Sequence, residues 1–227
     1  VAVLQASLQY AMGKKMKSFI KMLKQSFILT VALLLLCAVA YPLAVNGAGQ
    51  LVFHKQANGS LIEVDGKAVG SKLIGQQFTD PRFFQGRISS VNYNTYTEED
   101  LIADEEGNTA YGGVSSGSFN YGATNPDLQA RVEADLQEFM KSHPGVKKED
   151  IPADLLTASG SGLDPHISPQ AAKVQVAAVA EATGLSVEEV QKIVDNNTEN
   201  KVLGVFGENR VNVLTTNIEI AKAIGLI

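Results

Sequence analysis

The sequence predicts an α+β fold: one N-terminal transmembrane helix followed by a mixed α/β extracytoplasmic domain. Three observations predict it. An uncharged run of 19 residues, Phe27 to Val45, lies near the N-terminus. Downstream, Asp65-Gly66 separates LIEV from KAVGS as a tight hairpin turn would. In the last third, Ser168-Pro169 and Ser186 each open a helical pattern with a capping residue in the right place.

The apolar run, FILTVALLLLCAVAYPLAV, is long enough at about 1.5 Å per residue to span the ~30 Å hydrocarbon core of a bilayer. Tyr41 and Pro42 near its far end suit an interfacial exit, where an amphipathic ring is favoured and a proline costs little helix. Ala38-Val39-Ala40 offers the small-residue pattern of a signal-peptide cleavage site, but the run is longer than a signal core and continues past it, so an uncleaved anchor is the reading. Lys14, Lys15, Lys17, Lys21 and Lys24 are the only charged side chains before His54. By the positive-inside rule they put the N-terminus in the cytoplasm and the domain outside. The expected organisation is a basic cytoplasmic N-terminus over residues 1–26, the membrane helix over 27–45 and the outer domain over 46–227. Residues 1–15 carry no usable pattern, whereas Met16-Lys17 followed by apolar residues has the form of a natural start, so 1–15 reads as an extension.

With 45% hydrophobic and 19% charged residues, the remainder has the composition of a globular protein. Beyond the five lysines, fourteen basic side chains face twenty-four acidic ones, a formal charge of −10. That surface excludes nucleic acid as a partner and does not favour anionic headgroups through bulk electrostatics. Cys37, inside the apolar run, is the single cysteine, so no intrachain disulfide supports the fold.

After the hairpin, the β region is expected to continue through Phe78 and Phe83-Phe84, with Asp80-Pro81 as a turn. Asn92 to Ala123 reads as a long loop: six acids between Glu98 and Glu106 precede a Gly, Ser, Asn and Tyr-rich stretch. Solvated carboxylates are the plain reading of that cluster. Asn125 caps a helix with Pro126 at its first position, and Leu128, Val132, Leu136 and Phe139 line one face until His143-Pro144-Gly145 ends it. A second helix runs from Ser168-Pro169 to Gly184. A third starts at Ser186, where Glu189 completes a capping box and Leu185 with Val190 forms a hydrophobic staple. Val202 to Phe206 and Val211 to Leu214 read as short strands before a last helix to Ile224.

Little in the chain suggests catalysis. Gly113 to Gly117 matches G-x-S-x-G, but a nucleophile elbow needs a buried strand before it and a helix directly after. Asp164 and His166 stand two apart across Pro165, a link too short for a relay. As metal ligands they lack further His or Cys in context, and no phosphate-binding G-x-x-x-x-G-K-[ST] loop exists. The segment from Ile151 to Pro169, crowded with glycines and hydroxyls between prolines, suits a self-bonded loop; a rigid connection and a partner-contacting surface both remain open.

At this segment the sequence resembles the KdpC family, the C subunit of Kdp-type potassium-transporting ATPases. The matching pieces are Gln56 to Ile62, Leu73 to Thr79, Thr124-Asn125-Pro126, Ile151 to Ala172 and Gly207 to Leu214, in the family's order. TASGSGLDPHISP is the most specific of them. The chain departs from the family at Arg87-Ile88-Ser89, usually Arg-Pro-Ser, and at Ser116 to Asn120, usually Ser-Gly-Gly-Ser-Asn. The resemblance implies an accessory, non-catalytic subunit of an ATP-driven potassium importer in the bacterial cell membrane. Its partners would be a pore-forming subunit, a P-type ATPase subunit and membrane lipid. The chain lacks the Asp-Lys-Thr-Gly phosphorylation motif and is expected to hold no cofactor of its own; ATP is used by the ATPase subunit. The family is described as a catalytic chaperone that raises that subunit's ATP affinity. A domain outside the membrane makes an assembly or outer-mouth role physically simpler. Asp164, Pro165, His166, Arg210 and Asn212 are the expected partner contacts. The alternative is a membrane-anchored extracytoplasmic binding or sensor domain.

Overall fold

The computed structural model describes residues 2–227, with side chains from Met12 onward except that of Lys14. The chain divides into two units that meet between Gly59 and Ser60.

The first unit is helical. Helix α1 (Ala2–Leu34) passes through a π-helical turn, Leu35–Ala40, into α2 (Tyr41–Val52) and a short α3 (His54–Ala57). The π turn has a cause in Pro42. In a straight α-helix the proline ring would run into the carbonyl four residues back, and no N–H is there to bond it. Widening the turn lets the Tyr41 N–H reach back five residues, to the Leu36 carbonyl. Pro42 is therefore accommodated inside the helix, which continues ten residues beyond it. Lys15–Val52 is the one stretch among the described residues long and apolar enough to cross a membrane, and none of its most apolar window is buried. At its end the Asn58 side chain donates to the His54 carbonyl at 2.7 Å and pairs with the Gln50 amide.

The second unit opens with β1 (Leu61–Val64) and β2 (Lys67–Ser71), antiparallel, with Val64 opposite Lys67. Asp65 and Gly66 have φ of 50° and 75°, the two left-handed positions a type I′ turn requires.

No strand follows through Phe78 and Phe83-Phe84, contrary to the expectation that the β region continues there. The turn at Asp80 forms, its carbonyl accepting from Phe83 N at 3.0 Å. Beyond it the extended backbone is paired by side chains. The Asn217 amide accepts from Phe84 N at 2.8 Å and donates to Phe84 O at 2.9 Å, and the Gln175 amide does the same for Gln85 at 2.8 and 3.3 Å. Two buried amides on two helices stand in for a neighbouring strand.

Helix α4 (Pro126–Ser142) begins at Asn125, whose side chain accepts from Asp127 N, and buries Leu136 and Phe139. A single turn, α5 (Ala153–Leu156), precedes β3 (His166–Ile167). Helix α6 (Pro169–Thr183) runs from its Ser168 cap to Gly184 at φ 76°. Asp154 reinforces that cap, accepting from Ser168 N at 2.8 Å and Ser168 Oγ at 3.0 Å. Helix α7 (Val187–Asn196) carries the complete Ser186–Glu189 capping box.

Strands β4 (Thr198–Glu199) and β5 (Arg210–Asn212) complete a three-stranded antiparallel sheet of order β3-β5-β4. The terminal strand expected to reach Leu214 stops at Asn212, whose side chain accepts from Thr215 N and caps α8 (Val213–Ala223). Val202 to Phe206 is not a strand either; a single bridge between its two ends closes a turn. The core joins Phe84, Leu136, Phe139 and Leu155 to Val176 and Val179 of α6, Val190 and Val194 of α7, Val211 and Ile220.

Candidate partner-contact site

The family-like loop between α5 and β3 is folded around one carboxylate. Asp164 Oδ2 accepts from Ser159 Oγ at 2.8 Å and stands 3.4 Å from Arg87 Nη1, while Oδ1 accepts from His166 N at 3.0 Å. The Arg87 and Asp164 side chains are each about a fifth exposed, so the pair is partly desolvated. Arg87 Nε is buried without a hydrogen-bond partner.

Neighbouring backbone closes on this hub. Gly75 N donates to Leu163 O at 2.9 Å, Ser89 Oγ to Gly162 O at 2.6 Å and Ser90 Oγ to Gly117 O at 2.7 Å; Ser116 and Ser161 hydroxyls meet at 3.0 Å. The Arg87–Ser89 segment and the loop around Ser116 are thus packed on the loop that carries Asp164. Asn92, Tyr93 and Asn94 form a left-handed turn, φ 47°, 52° and 55°, a costly conformation for three side-chain-bearing residues in a row. It is held by Tyr93 OH donating to Arg87 O at 2.7 Å and by the Asn94 amide paired with the Ser115 backbone at 3.0 and 3.1 Å. Burial, then the nearby Asp164 charge, pushes the Tyr93 phenol up to about 12.

The sheet register sets His166 opposite Asn212. On the far edge Glu199 pairs with both Lys72 at 2.6 Å and Arg210 at 2.7 Å. Of the five expected contact residues, Asp164, His166 and Arg210 reach the surface in part, whereas Pro165 and Asn212 are buried. Pro165 O accepts from Val213 N at 3.0 Å, and the Asn212 amide donates to Lys72 O at 2.9 Å. Arg87, Ser89, Tyr93 and Gly75 belong to the same cluster; nothing local in the sequence marks them as partners of the Asp164 loop, because it lies far along the chain.

The chemistry available here is cohesion. A Ser-His-Asp relay needs the imidazole between hydroxyl and carboxylate. Here the carboxylate stands between, with Ser159 bonded to it and His166 Nδ1 3.8 Å away. The G-x-S-x-G match lies in irregular loop, with Ser115 N held by Asn94. Among the described residues no cluster of His, Cys, Asp and Glu could hold a metal ion.

Two histidines are expected to make the fold acid-sensitive. Burial, with the Arg210 charge adding to it, holds the His166 imidazole below its usual value, and burial does the same to His143, whose Nδ1 faces Phe139 O at 3.1 Å. Both are bases depressed in the folded state, so the unfolded chain takes up protons first as pH falls below about 6.5. Stability is therefore full above that value and lost as pH drops through the folded-state values. Unfolding midpoints of the full chain in detergent should fall between pH 7.5 and 5, above the usual carboxylate range, and His143→Gln should flatten that slope; an unchanged slope refutes it.

The described residues form an α+β unit that follows one helix long and apolar enough to cross a membrane, the arrangement of a membrane-associated protein. A model of the family described as "KdpC: K+-transporting ATPase, c chain" matches residues 23–222. The chain is 61% identical over 207 residues to the potassium-transporting ATPase KdpC subunit of Clostridioides difficile, covering 91% of this chain and all of that one. It is 57% identical over 211 residues to the same subunit of Clostridium kluyveri, covering 93% and 98%, and 46% identical to that of Caldanaerobacter subterraneus over 94% and 97%. The chain belongs to the KdpC family and is a non-catalytic, membrane-associated subunit of the Kdp potassium pump.

Proposed function

We propose that the chain holds the pump's pore-forming, potassium-translocating subunit and its P-type ATPase subunit in one assembly, with its N-terminus in the cytoplasm and residues 46–227 outside the membrane. One observation carries this reading: the uncharged run lies in an exposed helix with five lysines on its N-terminal flank against one, Lys55, close past its other end. A rise in the ATPase subunit's affinity for ATP would be exerted through assembly, since ATP lies across the membrane from the domain.

Exposed Asn196, replaced by cysteine in a Cys37→Ser chain, should react with a membrane-impermeant thiol reagent in intact cells. Labelling only after lysis would reverse the orientation. Tagged chain extracted in detergent should bring down both larger subunits; recovery of neither would favour a binding or sensor domain. Within this reading Asp164, His166 and Arg210 supply contacts, and Pro165 and Asn212 position them. His166→Ala should lower recovery of the complex about tenfold, equivalent to ~1.4 kcal/mol, while costing the chain itself about 1 kcal/mol or less. A melting shift as large as a core deletion would make His166 an internal strut.

A further inference from the structure

Residues 202–206 put an apolar tip in open solvent. Val202, Leu203, Val205 and Phe206 are 57, 86, 73 and 64% exposed in a stretch of five residues, whereas the other strongly exposed apolar side chains of the unit, Ile102 at 70% and Val114 at 83% among them, occur singly or in pairs along the chain. The turn is rigidly built. Val202 N donates to Phe206 O at 2.8 Å, Phe206 N to Val202 O at 3.0 Å and Gly204 N to Lys201 O at 3.0 Å. Its base is fixed where Lys201 N donates to the Asn209 side chain at 3.1 Å. Leu203 adopts φ 54°, a left-handed conformation costly for a leucine, and Gly204 φ 74°. Backbone strain and hydrogen bonding are both spent on holding apolar side chains outward, and a pre-ordered apolar anchor loses little entropy when it docks.

Charge decides between a bilayer and a protein as its occupant. A tip that dips into anionic headgroups gains from cationic flanks. Here the flanking cations are both already paired, Lys201 at 3.0 Å with Glu208, whose side chain is 85% exposed, and Arg210 at 2.7 Å with Glu199, on a domain that is acidic overall. A carboxylate beside the tip is repelled by anionic lipid and attracted by a cation on the rim of a protein pocket. We infer that the 202–206 turn is a docking anchor that seats Leu203 and Phe206 in an apolar pocket, with a basic rim facing Glu208, on another subunit of the pump. This rests on the assembly reading above.

The test uses the whole pump in its own membrane. Benzoylphenylalanine placed at position 203 should, on irradiation, give one adduct between this chain and a larger pump subunit, and none when placed at exposed position 196. No subunit adduct at 203, an adduct to lipid alone, or equal adducts at both positions would overturn the anchor. In the paired variant Leu203→Ser with Phe206→Ser, recovery of the larger subunits should fall about tenfold while the melting of the full chain is unchanged, since the tip contributes nothing to the core. Equal recovery by variant and wild type defeats the anchor alone; a wild-type chain that recovers no subunit defeats the assembly reading and the anchor with it. The chain has no tryptophan, so Phe206→Trp provides a single reporter. Alone in phosphatidylethanolamine–phosphatidylglycerol vesicles its emission should remain that of a water-exposed indole, and a blue shift there would make the bilayer the occupant.

Discussion

Asn217→Leu is expected to lower the unfolding free energy by about 4 kcal/mol. Phe84 is fully buried and Asn217 is 2% exposed, so water does not reach the pair. Leucine fills the amide's volume and leaves no appreciable cavity, but it abandons both Phe84 N–H and Phe84 C=O, bonded at 2.8 and 2.9 Å in the native chain. Each orphaned buried backbone group costs about 1–3 kcal/mol. For a domain of this size the loss corresponds to a fall of roughly 10 °C in melting temperature. Urea unfolding of the full chain in detergent measures it. A change below about 1 kcal/mol would mean that the Phe84 segment can find other partners, and that the amide clamp is incidental.

Gly75→Val is expected to cost about 3 kcal/mol and to loosen the loop that carries Asp164 and His166. A Cβ at position 75 would fall 2.5 Å from the Asp164 carbonyl oxygen and 2.6 Å from the Tyr93 ring. Neither can yield easily. The Asp164 backbone is fixed on one side by Pro165 O accepting from Val213 N and on the other by Leu163 O accepting from Gly75 N itself. Tyr93 sits in the left-handed turn and is tied to Arg87 O. Gly160→Ala, where nothing lies within 4 Å of the added carbon, is the matched control and should be nearly neutral. Because the clash displaces the hub without touching the surface, Gly75→Val should also reduce recovery of the complex. Intact stability and recovery in this variant would show that the loop and the Gly75 segment move together without cost.

What the sequence by itself determined were the features whose physics is local. Nineteen uncharged residues suffice for a helix long and apolar enough to cross a membrane, whatever follows them. The Asn125, Ser168 and Ser186 caps and the Asp65-Gly66 turn each need only a donor or a φ within a few residues, and each formed where its signal stood. The resemblance carried by TASGSGLDPHISP identified the family from side-chain identities alone. The β region expected to continue through Phe78 and Phe83-Phe84 found no neighbouring strand to pair with. The Phe78 to Phe84 segment was met instead by amides 90 and 133 residues away. At Asn212 a cap signal outweighed the apolar residues after it and turned a strand into a helix.

Only the tertiary structure decided the site. Strands of two or three residues carry no period, so the β3-β5-β4 sheet and the pairing of His166 with Asn212 could not be read in advance. Nor could the burial of Pro165 and Asn212, nor the union of Arg87, Ser89 and Tyr93 with Asp164, contacts that close loops of some seventy residues. Such contacts depend on which distant surfaces the core brings together, and a hydrogen bond does not leave a trace in sequence when its two ends are set by separate helices and loops. The caps and turns answer to their immediate neighbours; the carboxylate hub and the amide clamp answer to the whole chain.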